Sequence, residues 1–108
     1  MGMKKLYRGA VGTGSGTLLY TTPAGFTCDI VDIAVANTTS GALTFKLHIV
    51  TSGGSADTSN LMFPDVSIPA NTLVQWTGQQ RLNPGDFIQG VGSGSGITVM
   101  ITGQEIRL

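Results

Sequence analysis

The chain has 108 residues and a mass of 11.2 kDa, with six basic and six acidic side chains that cancel to zero. Charged residues are only 11% of the total, against about 25% in ordinary soluble domains, and 16 Gly, 14 Thr and 8 Ser supply the polarity instead. A chain without charge excess has little attraction for phosphate backbones or anionic lipid, so neither nucleic acid nor a membrane surface is an expected partner.

No apolar run approaches the roughly 20 residues of a membrane span. Met1 to Leu6 carries two lysines with no apolar h-region behind them, which predicts no Sec-type signal peptide. The single cysteine, Cys28, excludes an internal disulfide. Near-zero charge in so small a chain favours association, so an oligomer or a docked subunit is expected.

Apolar residues recur with period two throughout, and the chain reads as all-β. Lys4 to Val11 is a first strand, followed by the Gly-rich turn Val11 to Gly16. Together, residues 1–16 form an arm or first strand with its turn, and residues 17–108 form one β-sandwich domain. Thr17 to Thr22 is the next strand, closed by Pro23-Ala24-Gly25. In Phe26 to Asn37, Val31, Ile33 and Val35 alternate on one face and Cys28, Ile30, Ala34 and Ala36 on the other, a pattern of a strand covered on both sides or bulged near Ile30.

After the Asn37 to Gly41 turn, Leu43 to Val50 alternates cleanly, with Leu43, Phe45, Leu47 and Ile49 inward and His48 outward. Thr51 to Asn60 is a polar loop, mobile or a contact surface. Leu61 to Phe63 and Asp65 to Ile68 are short pieces split by Pro64, which argues for an edge strand. Thr72 to Thr77, Asp86 to Val91 and Ile97 to Thr102 follow, with Asn83-Pro84-Gly85-Asp86 and Gly92 to Gly96 as turns and Gln104 to Leu108 as a tail. About eight strands at this spacing predict a small sandwich, and the long connections favour a jelly roll. Val11 to Leu19 and Val91 to Val99 echo each other as flexible hairpin tips that share one end of the sandwich.

No catalytic constellation is legible, and no cofactor or metal is expected. His48 has no acid near it in sequence, and Cys28 reads as a small buried apolar residue. A pairing of the two on neighbouring strands would lack an orienting third group. Asp29 and Asp32, three apart, fall on opposite faces of an ideal strand, and Asp86 reads as a turn carboxylate. Both Gly-rich runs lead into strands, whereas a dinucleotide fingerprint needs a following helix. Trp76 reads as a core or subunit-interface anchor, or else as a sugar-stacking platform.

Leu19-Tyr20-Thr21-Thr22-Pro23-Ala24-Gly25-Phe26-Thr27, Ile68-Pro69-Ala70-Asn71 and Leu82-Asn83-Pro84-Gly85-Asp86-Phe87-Ile88-Gln89-Gly90, with the β runs between them, form a familiar set. From Thr17 to about Thr102 the chain resembles the small β-sandwich modules of tailed-bacteriophage virion proteins, which recur in head decoration proteins, head fibres and tail-associated parts. The resemblance implies a jelly-roll-like fold, frequent trimeric assembly and no catalysis, and it carries no active-site residues.

The expectation is a virion protein, assembled in the host cytoplasm, that docks as an oligomer, a trimer by the resemblance, on the major capsid protein or other virion proteins. Subunit contacts are assigned to Trp76, Leu73 and Phe63, and docking to an arm carrying Lys4, Lys5, Tyr7 and Arg8. The alternative is a tail- or fibre-tip module recognising a host glycan or surface protein through two loops, with Ser52, Asp57 and Asn60 on one and Ser93 and Ser95 on the other.

Overall fold

The computed structural model describes residues 2–14 and 16–108. Period-two alternation of β-branched and aromatic residues, punctuated by Gly and Pro, yields eight strands among the described residues. They are β1 (Lys4–Ala10), β2 (Thr17–Thr21), β3 (Phe26–Asn37), β4 (Leu43–Val50), β5 (Leu61–Ile68), β6 (Thr72–Leu82), β7 (Phe87–Gly92) and β8 (Ile97–Arg107). Two four-stranded antiparallel sheets pair them in the orders β1-β8-β3-β6 and β2-β7-β4-β5. The pairings β1 with β8, β2 with β7, β3 with β6 and β4 with β5 are nested, which is one long hairpin rolled over itself, the jelly-roll order.

Phe45, Leu47, Ile30, Ile33, Ile88 and Ile101, all at 0% exposure, fill the space between the sheets, and Phe63 meets Phe45 edge-on at 5.6 Å between ring centroids. Leu43 and Ile49 lie at the rim of this core, half-buried, while Val50 is buried beside Gly54 of the following loop.

One bulge changes which residues share a face. Against β8 the register of β3 shifts between Ile30 and Asp32 with Val31 as the extra residue, and against β6 the shift at the same place sets Gly78 and Gln79 opposite Val31. An inserted residue reverses the alternation beyond it. Cys28 and Ile30 therefore face the core together with Ile33 and Val35, and Val31 is only half-buried, which corrects the two-faced assignment read from the sequence. Asp29 and Asp32 are likewise brought onto one outer face, not two.

Three boundaries also differ. The pieces on either side of Pro64 are one edge strand, β5, in which Pro64 and Asp65 are left out of the ladder and Asp65 takes a φ of 53°. β6 continues past Thr77 to Leu82 because cross-strand partners on β3 hold Gln80, Arg81 and Leu82. β8 absorbs most of the tail, since its partner β3 extends alongside it, Phe26 opposite Arg107.

The Gly-rich connections meet at one end of the sandwich: Gly92 N donates to Gly12 O at 3.0 Å and Val11 N to Ile97 O at 3.0 Å. Ser15 of the first run and Met1 of the expected arm lie outside the described residues.

Candidate functional site

The outer face of the β1-β8-β3-β6 sheet has a defined pattern because register places its side chains in rows. Arg8, Met100, Ala34 and Gln75 form one row across the four strands, and Ala10, Thr98, Ala36 and Leu73 the next. The two alanines of β3 stand between larger neighbours and leave a groove of about 250 Å³, bordered by Arg8, Leu73 and Met100. Leu73 is 54% and Met100 42% exposed, so the centre of this face is apolar and open to solvent.

Its charges are separated laterally. On the β3 and β6 side, Asp29 accepts from Arg81 through two guanidinium nitrogens and from Gln79 Nε2 at 3.0 Å, and the Arg81 hydrogen bond above all holds its carboxyl below the usual range. Asp32 accepts from an amide, Gln75 Nε2, at 2.7 Å. Lys5 and Arg8 stand on β1, and among the described residues neither is in an ion pair.

The expected interface residues do not come together. Leu73 lies on this outer face, whereas Trp76 faces inward opposite Ile33, half-buried at the open edge of the sandwich with its ring over Gly78. Phe63 is a core residue at 5% exposure, because the alternation of β5 turns it onto Phe45, and it has no surface to offer a partner. The expected arm is also corrected. Lys4, Lys5, Tyr7 and Arg8 are in β1, hydrogen-bonded along β8, with Tyr7 packed against the core.

The loop residues are tied down. The Asp57 carboxylate caps a short 3-10 turn, Thr58–Asn60, accepting from Ser59 N at 2.8 Å, and contact with Ser59 holds its pKa low. Asn60 Oδ1 accepts from Asp57 N at 3.1 Å and lies 2.7 Å from His48 Nδ1, while its Nδ2 donates to Ser55 O at 3.0 Å. Ser52 N donates to Asp86 Oδ1 at 3.0 Å, and Asn83 N to Asp86 Oδ2 at 2.8 Å, as a turn carboxylate should accept. An open cleft of about 690 Å³ lies under this loop, bordered by Ile49, Met62, Ser59, Asn60 and Gln80.

Ser93 is held by a reciprocal pair with Thr44, and Ser95 is exposed at the tip. Because Phe45 pairs with Gly92 and Val50 with Phe87, the 51–60 and 92–96 loops lie at opposite ends of β4 and cannot form one contact site.

Cys28 and His48 are on different sheets, the first facing the core and the second bonded under the loop, so no nucleophile pair exists. Burial raises the Cys28 thiol pKa and leaves it inert. A polar cluster absent from the sequence reading lies beside it. Glu105 accepts from Lys4 Nζ at 2.8 Å and from the Tyr20 hydroxyl at 2.5 Å; its pKa is lowered, by Lys4 first, and that of Tyr20 is raised, by burial first. It joins β1, β2 and β8, and nothing local in the sequence signals it, since Lys4 and Glu105 are 101 positions apart. In comparisons with known proteins, no family model, no curated protein and no solved structure matches the chain.

Proposed function

We propose that this chain is a non-enzymatic virion structural protein of a tailed bacteriophage, a capsid decoration subunit that associates with itself and docks on the major capsid protein or another virion protein. The observation that carries the reading is the outer face of the β1-β8-β3-β6 sheet, with an apolar centre in a chain of zero net charge. A surface of alanine, Leu73, Met100 and threonines is suited to packing against neighbours, since it loses little hydration on burial. The resemblance in the turn segments supports the same reading. The test is to add the purified protein to particles that lack it and to locate it by electron microscopy. Density at regular capsid positions is expected; absence of binding rejects the reading.

A second reading, a tail- or fibre-tip module for a host glycan, is favoured by the cleft under the 51–60 loop, whose size is that of a ligand pocket and whose rim carries the Gln80 amide. It predicts glycan-array binding that Gln80→Ala abolishes; a silent array rejects it.

A further inference from the structure

We infer that the outer face of the β1-β8-β3-β6 sheet is a two-fold interface with a second copy of this chain, in which Arg8 of each copy reaches Asp32 of the other. The inference rests on the self-associating part of the reading above and specifies its geometry.

Two sheets packed face to face keep their strands roughly aligned, about 10 Å apart. A two-fold axis lying between them can run across the strands or along them. An axis across the strands sets β1 antiparallel over its own image, which gathers Arg8 and Lys5 of both copies on one strand pair with no carboxylate on that strand to relieve them. An axis along the strands reverses the lateral order, so β1 lies over the partner's β6 and β8 over the partner's β3. Each row then faces itself in reverse: Arg8 stands opposite Gln75, Met100 opposite Ala34, and Leu73 opposite Ala10.

The second arrangement satisfies both charge and shape. Gln75 is the amide that holds Asp32, so an arginine arriving over Gln75 meets a carboxylate that, among the described residues, lacks a cation in its own copy. The large side chains Met100 and Leu73 meet alanines, and the groove beside Ala34 and Ala36 is filled by the partner. Four strands spaced about 4.8 Å and a few rows of residues make a face about 15–20 Å across, at the low end of specific interfaces, which points to micromolar dissociation.

Sedimentation velocity on the full chain, at about 1 to 500 μM, is the test. A monomer–dimer equilibrium is expected, with Arg8→Asp and Asp32→Arg each weakening the dimer about tenfold or more and the double variant restoring most of the loss, because swapped charges attract again only across the interface. Circular dichroism melts on each variant separate lost association from lost folding; Ala34→Arg, which fills the groove, is a second variant and abolishes the dimer. A wild-type monomer over the whole range, a trimer, or single variants that dimerise normally would overturn the inference. A dimer that does not bind particles rejects the decoration reading alone, and a monomer that binds them rejects the two-fold alone.

Discussion

Arg81 holds Asp29 at two points on the outer face of β3, Nε to Oδ1 and Nη2 to Oδ2, the second at 3.2 Å, and the pair is directly cross-strand in the β3–β6 register. Asp29 is 7% exposed and depends on this guanidinium and on Gln79 for its hydrogen bonds. Its pKa and that of Glu105 are lowered in the fold from unfolded values of about 3.9 and 4.3. Lowered carboxyl values contribute stability that is complete above those unfolded values and is lost as pH falls through the folded ones. Acid unfolding followed by circular dichroism should begin at higher pH in Arg81→Met than in wild type, and the Asp29 carboxyl resonance should titrate at higher pH. An unchanged acid limb would show that the pair does not hold Asp29.

At the alkaline side the signs reverse. Cys28 and Tyr20 are both raised, from unfolded values of about 8.5 and 10. Raised groups contribute stability that is fully present below the unfolded pKa and lost as pH rises through the folded one. Urea unfolding measured against pH should show stability declining from about pH 8.5, and Cys28→Ala should move that onset towards about pH 10, where Tyr20 takes over.

The Phe45 and Phe63 rings sit at 73° to each other inside the core. Phe45→Ala should cost about 3–5 kcal/mol in urea unfolding. Phe63→Ala should cost a similar amount and leave the oligomeric state of the folded fraction unchanged. Loss of association without loss of stability in Phe63→Ala would place that ring on the surface.

Gly103 lies opposite Ile30, beside the β3 bulge, where a Cβ would stand 2.5 Å from Asp29 O and 2.8 Å from Leu6 Cδ1. The backbone oxygen cannot swing away as a side chain could. Gly103→Ala should destabilise by about 1–3 kcal/mol or more, read from the urea midpoint. A neutral result would mean that the bulge relaxes.

Asn37, 2% exposed, closes β3 with four hydrogen bonds: Nδ2 to Gly41 O and Ile68 O, and Oδ1 from Thr39 N and Thr39 Oγ1. It ties the β3–β4 turn to the end of β5. Asn37→Ala should cost about 1–3 kcal/mol, and amide hydrogen exchange at Thr39 should accelerate.

Much of the fold was legible because each strand here is bounded by residues with their own backbone preferences. Pro23-Ala24-Gly25 and Asn83-Pro84-Gly85-Asp86 punctuate the chain whatever surrounds them, and Leu43 to Val50 shows its inward face by alternation alone. The Val31 bulge was visible only as an irregularity. Its effect, bringing Asp29 and Asp32 to one side and Cys28 in line with Ile33, depends on which residue the ladder skips. Gln79 to Leu82 carries no strand signal; the length of β3 opposite extends β6 through it.

The charge balance is read directly from the sequence, and the all-β class and the strand count were determined by it too, because they follow from local backbone preference and period-two alternation. Strand order was decided only in the tertiary structure, and with it which side chains share the outer face of the β1-β8-β3-β6 sheet. Nothing near Arg8 in sequence tells that β8, β3 and β6 complete its sheet, that Gln75 holds Asp32 across from it, or that Phe63 turns inward. Those relations come from pairing strands up to a hundred residues apart, where the free energy of closing the sandwich, not any local preference, chooses the partner.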